Sequence, residues 1–239
     1  MTEHELHDTE LSLERFIRGA ADTEGAEPVT IVTTRGDIAL RYHAPTRPTA
    51  GGATGGAVFV RSAEAGQPAP RDGQLYPSTC RALAASGVAA VELTLRAPTD
   101  LHECVLDVLA AMAFLDEADA APVAIVGYAL ATAAVVQVAL LSPDVGACVL
   151  LAAVPFEDAT EYVPHLGPRC AALFVHGDGD VVAPAAMARA LFDETSDPKD
   201  WLDVFGASHD LVVSTDDDLA EEVAAWITAA LERPEAVAS

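Results

Sequence analysis

Apolar and polar positions alternate along this chain in two different periods. Short apolar runs rich in β-branched residues predict buried strands, and apolar residues recurring every three or four positions predict helices. The strands are predicted at 57–60, 88–95, 121–126, 147–153, 171–176 and 201–205, and the helices at 75–86, 101–115, 132–141, 183–192 and 219–231. Strands that alternate with helices in this way indicate an α/β fold, in which a mostly parallel twisted sheet carries helices on both faces.

The first third of the chain adds a hairpin to this sheet. Residues 29–34 and 37–42 alternate in the strand period around an Arg35-Gly36 turn, which predicts two antiparallel strands and about eight strands in all. Only 14 residues, 156–169, separate two of the later strands, so no large cap domain is expected.

The acidic N-terminal segment predicts a separate element. Within residues 1–26, apolar residues stand at roughly helical spacing at Leu6, Leu11, Leu13, Phe16 and Ile17. This spacing predicts an amphipathic helix that docks on the main domain or forms a homodimer contact. The division is then 1–26 for this helical segment, 27–233 for the α/β domain and 234–239 for a C-terminal tail.

The composition of the chain makes several classes of partner and cofactor unexpected. The chain has 239 residues, 51% of them hydrophobic, and a formal net charge of −24. Such a charge repels nucleic acids and anionic membrane surfaces, so neither is an expected partner. The acidic start, residues 1–6, lacks the basic-then-apolar order of a signal peptide, which favours a cytoplasmic protein. The four cysteines have no paired spacing, and neither a metal nor a cofactor is expected.

The most informative motif is Gly127-Tyr128-Ala129-Leu130-Ala131, between a predicted strand and a predicted helix. It has the outline of G-x-S-x-G, in which the central serine is held on a strained strand-to-helix turn with its side chain exposed. Here the central residue, Ala129, has no atom that can attack a carbonyl. The motif therefore predicts a hydrolase scaffold without serine chemistry.

Two later segments complete the pattern. His176-Gly177-Asp178-Gly179-Asp180-Val181-Val182-Ala183-Pro184 is similar to an HGxxDxxVP segment, and Gly206-Ala207-Ser208-His209 follows it. In the order elbow, acid, histidine, residues 28–232 resemble the small, lidless α/β-hydrolases, which include dienelactone hydrolases and minimal esterases. The resemblance implies that Asp180 is the acid and His209 the base. Asp178 is the competing acid and is expected to be solvated, and His176 is expected to tighten the turn.

The resemblance also implies an oxyanion hole. Its backbone donors would be the N–H of Leu130 and that of Ser62 or Ala63, although the relatives have His-Gly where this chain has Arg61-Ser62-Ala63. Arg61 is interpreted either as a cation at the pocket rim or as an ion-paired surface arginine. Tyr128 and Phe156 are candidates for the lining of an apolar pocket, with simple packing as the alternative.

Three functions fit this sequence, and in each of them the protein binds or converts a small molecule. In the first, the His209–Asp180 pair performs acid–base chemistry, such as elimination, isomerisation or cyclisation, on a carbonyl-containing substrate without a covalent intermediate. In the second, the chain is a serine esterase with serine changed to alanine at position 129. In the third, the protein binds a ligand and has lost catalysis. The altered segment that begins at Arg61 favours the first, because a change designed to inactivate would touch only the elbow.

Overall fold

Nine strands form one continuous sheet in the computed structural model, which describes residues 11–47, 53–61, 70–156, 159–212 and 218–233. The strand order across the sheet is β1-β2-β3-β5-β4-β6-β7-β8-β9. The first three strands and β5 pair antiparallel, and all pairs from β5 to β9 are parallel. The strands are β1 Leu13–Arg18, β2 Glu27–Thr33, β3 Ile38–His43, β4 Gly56–Arg61, β5 Ala89–Thr94, β6 Val123–Tyr128, β7 Val145–Leu151, β8 Ala171–Gly177 and β9 Lys199–Val204.

Helices cover both faces of the sheet. The α-helices are α1 Leu75–Ser86, α2 Leu101–Asp116, α3 Ala131–Leu141, α4 Ala159–Tyr162, α5 Ala185–Glu194 and α6 Leu219–Leu231, with 3-10 turns at Pro70–Gly73 and Val163–His165. Between β7 and β8 the described chain contains only the single turn of α4 and a 3-10 turn, so no large cap is built there. The predicted fold class is confirmed.

The hydrophobic core has two parts, one on each face of the sheet, because the side chains of a strand alternate between the faces. In β6, Val123 and Ile125 pack with α2 and α3 on one face, whereas Ala124 and Val126 pack with α1 and α6 on the other. Because successive side chains of a strand point to opposite faces, a strand buried on both faces must be apolar at every position. This requirement explains why the central strands have continuous apolar runs.

The helix predicted within residues 1–26 is wrong where the structure describes that segment. Leu13–Arg18 is strand β1, which pairs antiparallel with β2 and supplies the ninth strand. Residues 1–10 and the tail, 234–239, lie outside the described residues. In a strand only alternate positions share a face, so Phe16 packs on Phe114 at 5.4 Å between ring centroids while Ile17 stays half exposed. Pairing with β2 gives the backbone N–H and C=O groups of this segment hydrogen-bond partners. An isolated helix of this length would be only marginally stable in water.

A buried ion pair joins the segment that follows β5 to α2. The completely buried Asp107 accepts from the Arg96 Nε at 2.6 Å and from the Arg96 backbone N–H at 2.9 Å. Burial raises the pKa of the Asp107 carboxyl, and the bonds from Arg96 oppose that rise. Arg96 also donates to Glu103 at 2.9 Å and to the Arg35 carbonyl, so it links the β2–β3 turn to the start of α2.

Replacing Arg96 with alanine should lower the free energy of unfolding by about 3 kcal/mol, because it leaves a buried carboxyl without its cation. Arg81→Ala is the matched control: its side chain is 43% exposed, and its loss should cost less than about 0.5 kcal/mol. Urea denaturation of both variants measures the difference. Equal destabilisation by the two substitutions would contradict the role given to Arg96.

Candidate active site

The carboxyl ends of the parallel strands bring the candidate residues to one edge of the sheet. The elbow follows β6, the segment with Asp180 follows β8, and the loop with His209 follows β9. This is the edge at which parallel α/β sheets bind their ligands. The topology thus joins three segments that are distant in sequence.

The elbow after β6 has the strained backbone of a nucleophile turn. Ala129 has φ +51°, in the left-handed region that residues other than glycine adopt at a cost of about 1 kcal/mol or more. The Ala129 N–H donates to the Leu151 carbonyl at 2.9 Å, and the Thr132 hydroxyl donates to the Ala129 carbonyl at 2.6 Å. A Cβ on Gly127 would lie 2.6 Å from a methyl of Val135, so this position requires glycine. The tip of the turn carries only the Ala129 methyl group.

Asp180 is a fixed and ionised carboxylate. Its side chain is completely buried, and Oδ1 accepts hydrogen bonds at 2.8 Å from the backbone N–H groups of Val182 and Ala183. Oδ2 lies 2.7 Å from Nδ1 of His209. Burial alone would raise the pKa of this carboxyl, but the Ala183 and Val182 N–H groups and His209 together hold it below its ordinary value. Asp180 can therefore only accept hydrogen bonds, and His209 carries a proton on Nδ1.

The loop that carries His209 is packed closely against the loop after β8. The Asp178 carboxylate accepts from the Gly206 N–H at 2.6 Å, and a Cβ on Gly177 would lie 2.4 Å from the Ala207 carbonyl oxygen. Asp178 is exposed, as expected, and its bond to Gly206 orients the loop. His209 is 9% exposed, and its ring centroid is 5.3 Å from that of Tyr128 in the elbow. His209 and the elbow are thus adjacent.

One of the proposed oxyanion donors has a defined position. Leu130 precedes α3, where the first backbone N–H groups of a helix have no partner within the helix and create a positive end. Its side chain is 60% exposed, next to the tip of the elbow. Ser62 and Ala63 lie outside the described residues.

The remaining candidates have other contacts. Arg61 is the last residue of β4, and its guanidinium lies 3.2 Å from the carboxylate of the buried Glu92. Glu92 also pairs with Arg41 at 2.9 Å and with His43 at 3.0 Å, so Arg61 belongs to an ionic cluster around the buried Glu92. Phe156 is half buried and packs on the core of the α2–α3 face.

Tyr128 is half buried beside His209, and its hydroxyl oxygen is buried with no hydrogen-bond partner in the described part of the chain. Burial, assisted by the negative charges of Asp210 and Asp180, raises the pKa of the Tyr128 hydroxyl well above its ordinary value. The group therefore stays protonated and is a potential donor.

Two residues near the site were not assigned to it from the sequence. Glu92 gave no sequence signal beyond an acidic residue in an apolar strand, which can itself indicate a buried ion pair. His176 was interpreted as a turn residue, and its Nε2 does lie 2.8 Å from the Ala183 carbonyl, but it also lies 3.2 Å from Oδ2 of Asp180.

Among the described residues no group of three or more His, Cys, Asp or Glu side chains could hold a metal ion. No helix in the described ranges is long and apolar enough to cross a bilayer.

Similar solved structures define the class of fold. No protein-family model matches the chain, and no curated protein matches it. The esterase domain of a Rhodothermus marinus protein has a TM-score of 0.64 at 19% identity, covering 92% of this chain and 98% of that one. A zinc-bound structure of a cold-adapted esterase from an Arctic intertidal metagenomic library has a TM-score of 0.68 at 14% identity, covering 92% and 100%.

A third similar structure is an α/β serine hydrolase homologue from Coxiella burnetii, with a TM-score of 0.64 at 15% identity, covering 91% of this chain and 97% of that one. At these identities the likeness establishes the fold and carries no activity across. The chain has the α/β-hydrolase fold. Its elbow differs from G-x-S-x-G in having alanine at the central position.

The lowered pKa of Asp180 predicts how the stability of the fold depends on pH. A carboxyl whose folded-state pKa is lowered stabilises the fold above its unfolded pKa, and this stabilisation is lost as the pH falls through the folded pKa. The free-energy difference between the wild type and Asp180→Asn should thus not decrease from pH 7 to about 4, because Asp180 also pairs with His209, and it should shrink below about pH 4. Urea denaturation across this range measures it, and a difference independent of pH would contradict the assignment.

Proposed function

We propose that the protein is an enzyme that transfers a proton on a small carbonyl-containing substrate, with His209 as the base. The observation that carries this proposal is the 2.7 Å contact between Asp180 Oδ2 and His209 Nδ1 beside an elbow whose tip has no nucleophile. This contact is the one that the acid–base pair of a hydrolase requires, and the central residue of the elbow, Ala129, offers no atom that could form an acyl-enzyme. Proton transfer is the chemistry that these residues can perform without it.

The proposed reaction begins with the removal of a proton by His209. With Nδ1–H donating to Asp180, neutral His209 offers the lone pair of Nε2 to a proton on the carbon next to the substrate carbonyl. As that C–H bond breaks, its electron pair forms an enolate and His209 becomes an imidazolium, which the ionised Asp180 stabilises. The backbone N–H of Leu130 at the helix N-terminus can donate to the enolate oxygen.

The enolate then has three outcomes, which differ in where its electron pair goes. Where a second double bond is conjugated with the enolate, transfer of the proton from the imidazolium to the far carbon of that system moves the double bond and completes an isomerisation. Departure of a leaving group from the β-carbon completes an elimination. Attack of the enolate carbon on a second carbonyl carbon of the substrate completes a cyclisation, in which the electron pair of that C=O bond moves to its oxygen and takes the proton from the imidazolium.

Exposed apolar side chains near the site favour a substrate with an apolar body. Leu130, Val181, Val182 and Phe205 follow β6, β8 and β9 at the carboxyl edge and are between 60% and 86% exposed. An uncapped site would offer these side chains to an apolar part of a ligand, which would remove their surface from water. We expect no nucleic acid or membrane partner, because the chain carries a net charge of −24.

A specific observation supports a second candidate function, an esterase inactivated at its nucleophile. Ala129 keeps a left-handed φ of +51°, which gives alanine no advantage and would hold a serine hydroxyl in the exposed position of a nucleophile. The same His209–Asp180 pair would then activate that hydroxyl. The two candidates make different predictions for the wild-type chain.

The wild-type protein should accelerate the base-promoted ring opening of 5-nitrobenzisoxazole, a probe from which a base removes a carbon-bound proton as the N–O bond breaks. His209→Ala should reduce this rate by at least about tenfold, because the proton acceptor is lost. The absorbance of the phenolate product measures the rate.

His102→Ala is the control, since His102 is an exposed histidine at the start of α2. This variant should keep the wild-type rate. A wild-type rate no higher than that of buffer, or equal rates for the wild type and His209→Ala, would overturn the proposed function.

Ala129→Ser should acquire esterase activity toward p-nitrophenyl acetate. The new hydroxyl would lie on the strained turn beside His209. Its acylation should release p-nitrophenolate in an initial burst, at a rate at least about tenfold above that of the wild type. Stopped-flow absorbance measures the burst. Its absence would show that the elbow and the histidine are not aligned for nucleophilic catalysis, and would count against the inactivated-esterase candidate.

A further inference from the structure

Two imidazoles, not one, contact the Asp180 carboxylate. Nδ1 of His209 lies 2.7 Å from Oδ2, and Nε2 of His176 lies 3.2 Å from the same oxygen. His176 is the penultimate residue of β8 and is 1% exposed. Its ring is stacked parallel to that of Trp201 in β9, with 6.1 Å between the centroids. The ring is therefore fixed by packing as well as by hydrogen bonding.

The contacts of His176 determine its tautomer. Nε2 lies 2.8 Å from the Ala183 carbonyl oxygen, which can only accept a hydrogen bond, so Nε2 carries the proton. Nδ1 is buried and has no hydrogen-bond partner among the described residues, so a proton there would be left unsatisfied. His176 is a neutral imidazole that donates from Nε2.

His176 and Asp180 bind the two backbone polar groups of one residue, Ala183. The Ala183 N–H donates to Asp180 Oδ1 at 2.8 Å, and the Ala183 carbonyl accepts from His176 Nε2 at 2.8 Å. The turn from Asp180 to Ala183 is thereby joined to β8 through a side chain. Without that bond, the turn that carries the N–H groups which orient Oδ1 would lose one of its attachments to β8.

We propose that His176 is a positioning residue for the acid–base pair: by holding Ala183 and contacting Oδ2, it keeps the Asp180 carboxylate aimed at His209. This inference rests on the proposed function in taking His209 as the base. It goes beyond the expected turn-tightening role, because it links His176 to the proton affinity of the base. A carboxylate raises the proton affinity of an imidazole only while it stays aligned with the ring N–H.

The charged and titratable groups around the two rings are few within the described residues. His209 faces Asp180 from the loop after β8 and Tyr128 from the elbow, and Asp210 is its chain neighbour. Around His176, β9 contributes Trp201 and the Asp203 carboxylate, which accepts from the Trp201 indole N–H at 2.6 Å. From α5, Arg189 lies over the Trp201 ring at 3.6 Å.

Replacing His176 with phenylalanine tests the proposal, because phenylalanine keeps a ring against Trp201 and removes the donor. The titration of the His209 ring is followed by NMR in the full-length chain, and its signal is assigned by its loss in His209→Ala. The midpoint should fall by about half a pH unit or more in His176→Phe, because the carboxylate is no longer held in line. A glutamine amide can donate from the position of Nε2, so His176→Gln should restore most of the wild-type midpoint.

His43→Phe is the control, because His43 is also buried and bonded to a carboxylate, that of Glu92. It should leave the His209 midpoint unchanged. An unchanged or raised midpoint in His176→Phe would overturn the proposal, as would an equal shift in His43→Phe.

A measurement on the wild type keeps the proposal falsifiable if His176→Phe fails to fold. Long-range proton–nitrogen correlation should show His176 as the Nε2–H tautomer, and finding the Nδ1–H tautomer would overturn the assignment. None of these readouts depends on a reaction. If the midpoint shifts as expected while the wild type shows no proton-transfer activity, the positioning role stands and the proposed function fails.

Discussion

The candidate site depends on one buried carboxylate that is kept charged. Taking an ionised carboxyl out of water is unfavourable unless hydrogen bonds replace its hydration. At Asp180 the backbone N–H groups of Val182 and Ala183 satisfy one oxygen and His209 the other, so the ionised form prevails. A charged, immobile acceptor of this kind selects the tautomer of His209 that carries the proton on Nδ1 and leaves the second ring nitrogen with a lone pair. Loss of the charge or of its alignment would leave His209 as an ordinary loop histidine.

Close backbone contacts bring that pair next to the elbow. Gly127 and Gly177 each occupy a place where a Cβ would lie within 2.6 Å of another heavy atom, one against α3 and the other against the loop before His209. Because glycine has no side chain, the turns after β6, β8 and β9 can approach each other at the carboxyl edge of the sheet. The strain stored at Ala129 belongs to the same arrangement, since a sharp turn is needed to pass directly from β6 into α3. The packing of the sheet edge, and not any single loop, sets the geometry of the site.

Most of the fold could be predicted from the sequence because each central strand is buried on both faces and each long helix is periodic. The N-terminal strand could not, since the spacing of Leu13, Phe16 and Ile17 also fits a helix, and only pairing with β2 decides between them. At the site, the motifs placed Asp180 and His209 correctly as neighbours, and the 2.7 Å contact agrees with that prediction.

The contacts of Arg61 and His176 could not be predicted from the sequence. Glu92 meets Arg61 only through the register of β5 beside β4, and His176 meets Ala183 only through the path of the turn after β8. Such partners are selected by tertiary packing, which leaves no local pattern in the chain. For the same reason, a strand that is otherwise apolar can carry one acidic residue with no visible sign of its partners.

The methyl group at the tip of the elbow has a consequence for how such a protein would be found. Fluorophosphonates and related reagents identify serine hydrolases by forming a covalent bond to the activated hydroxyl. Ala129 offers no atom for that bond, so the elbow of this chain would remain unlabelled in a proteome-wide survey of that kind even when its histidine and carboxylate are in place. Proteins with this arrangement would be systematically missed by reagents that depend on covalent capture.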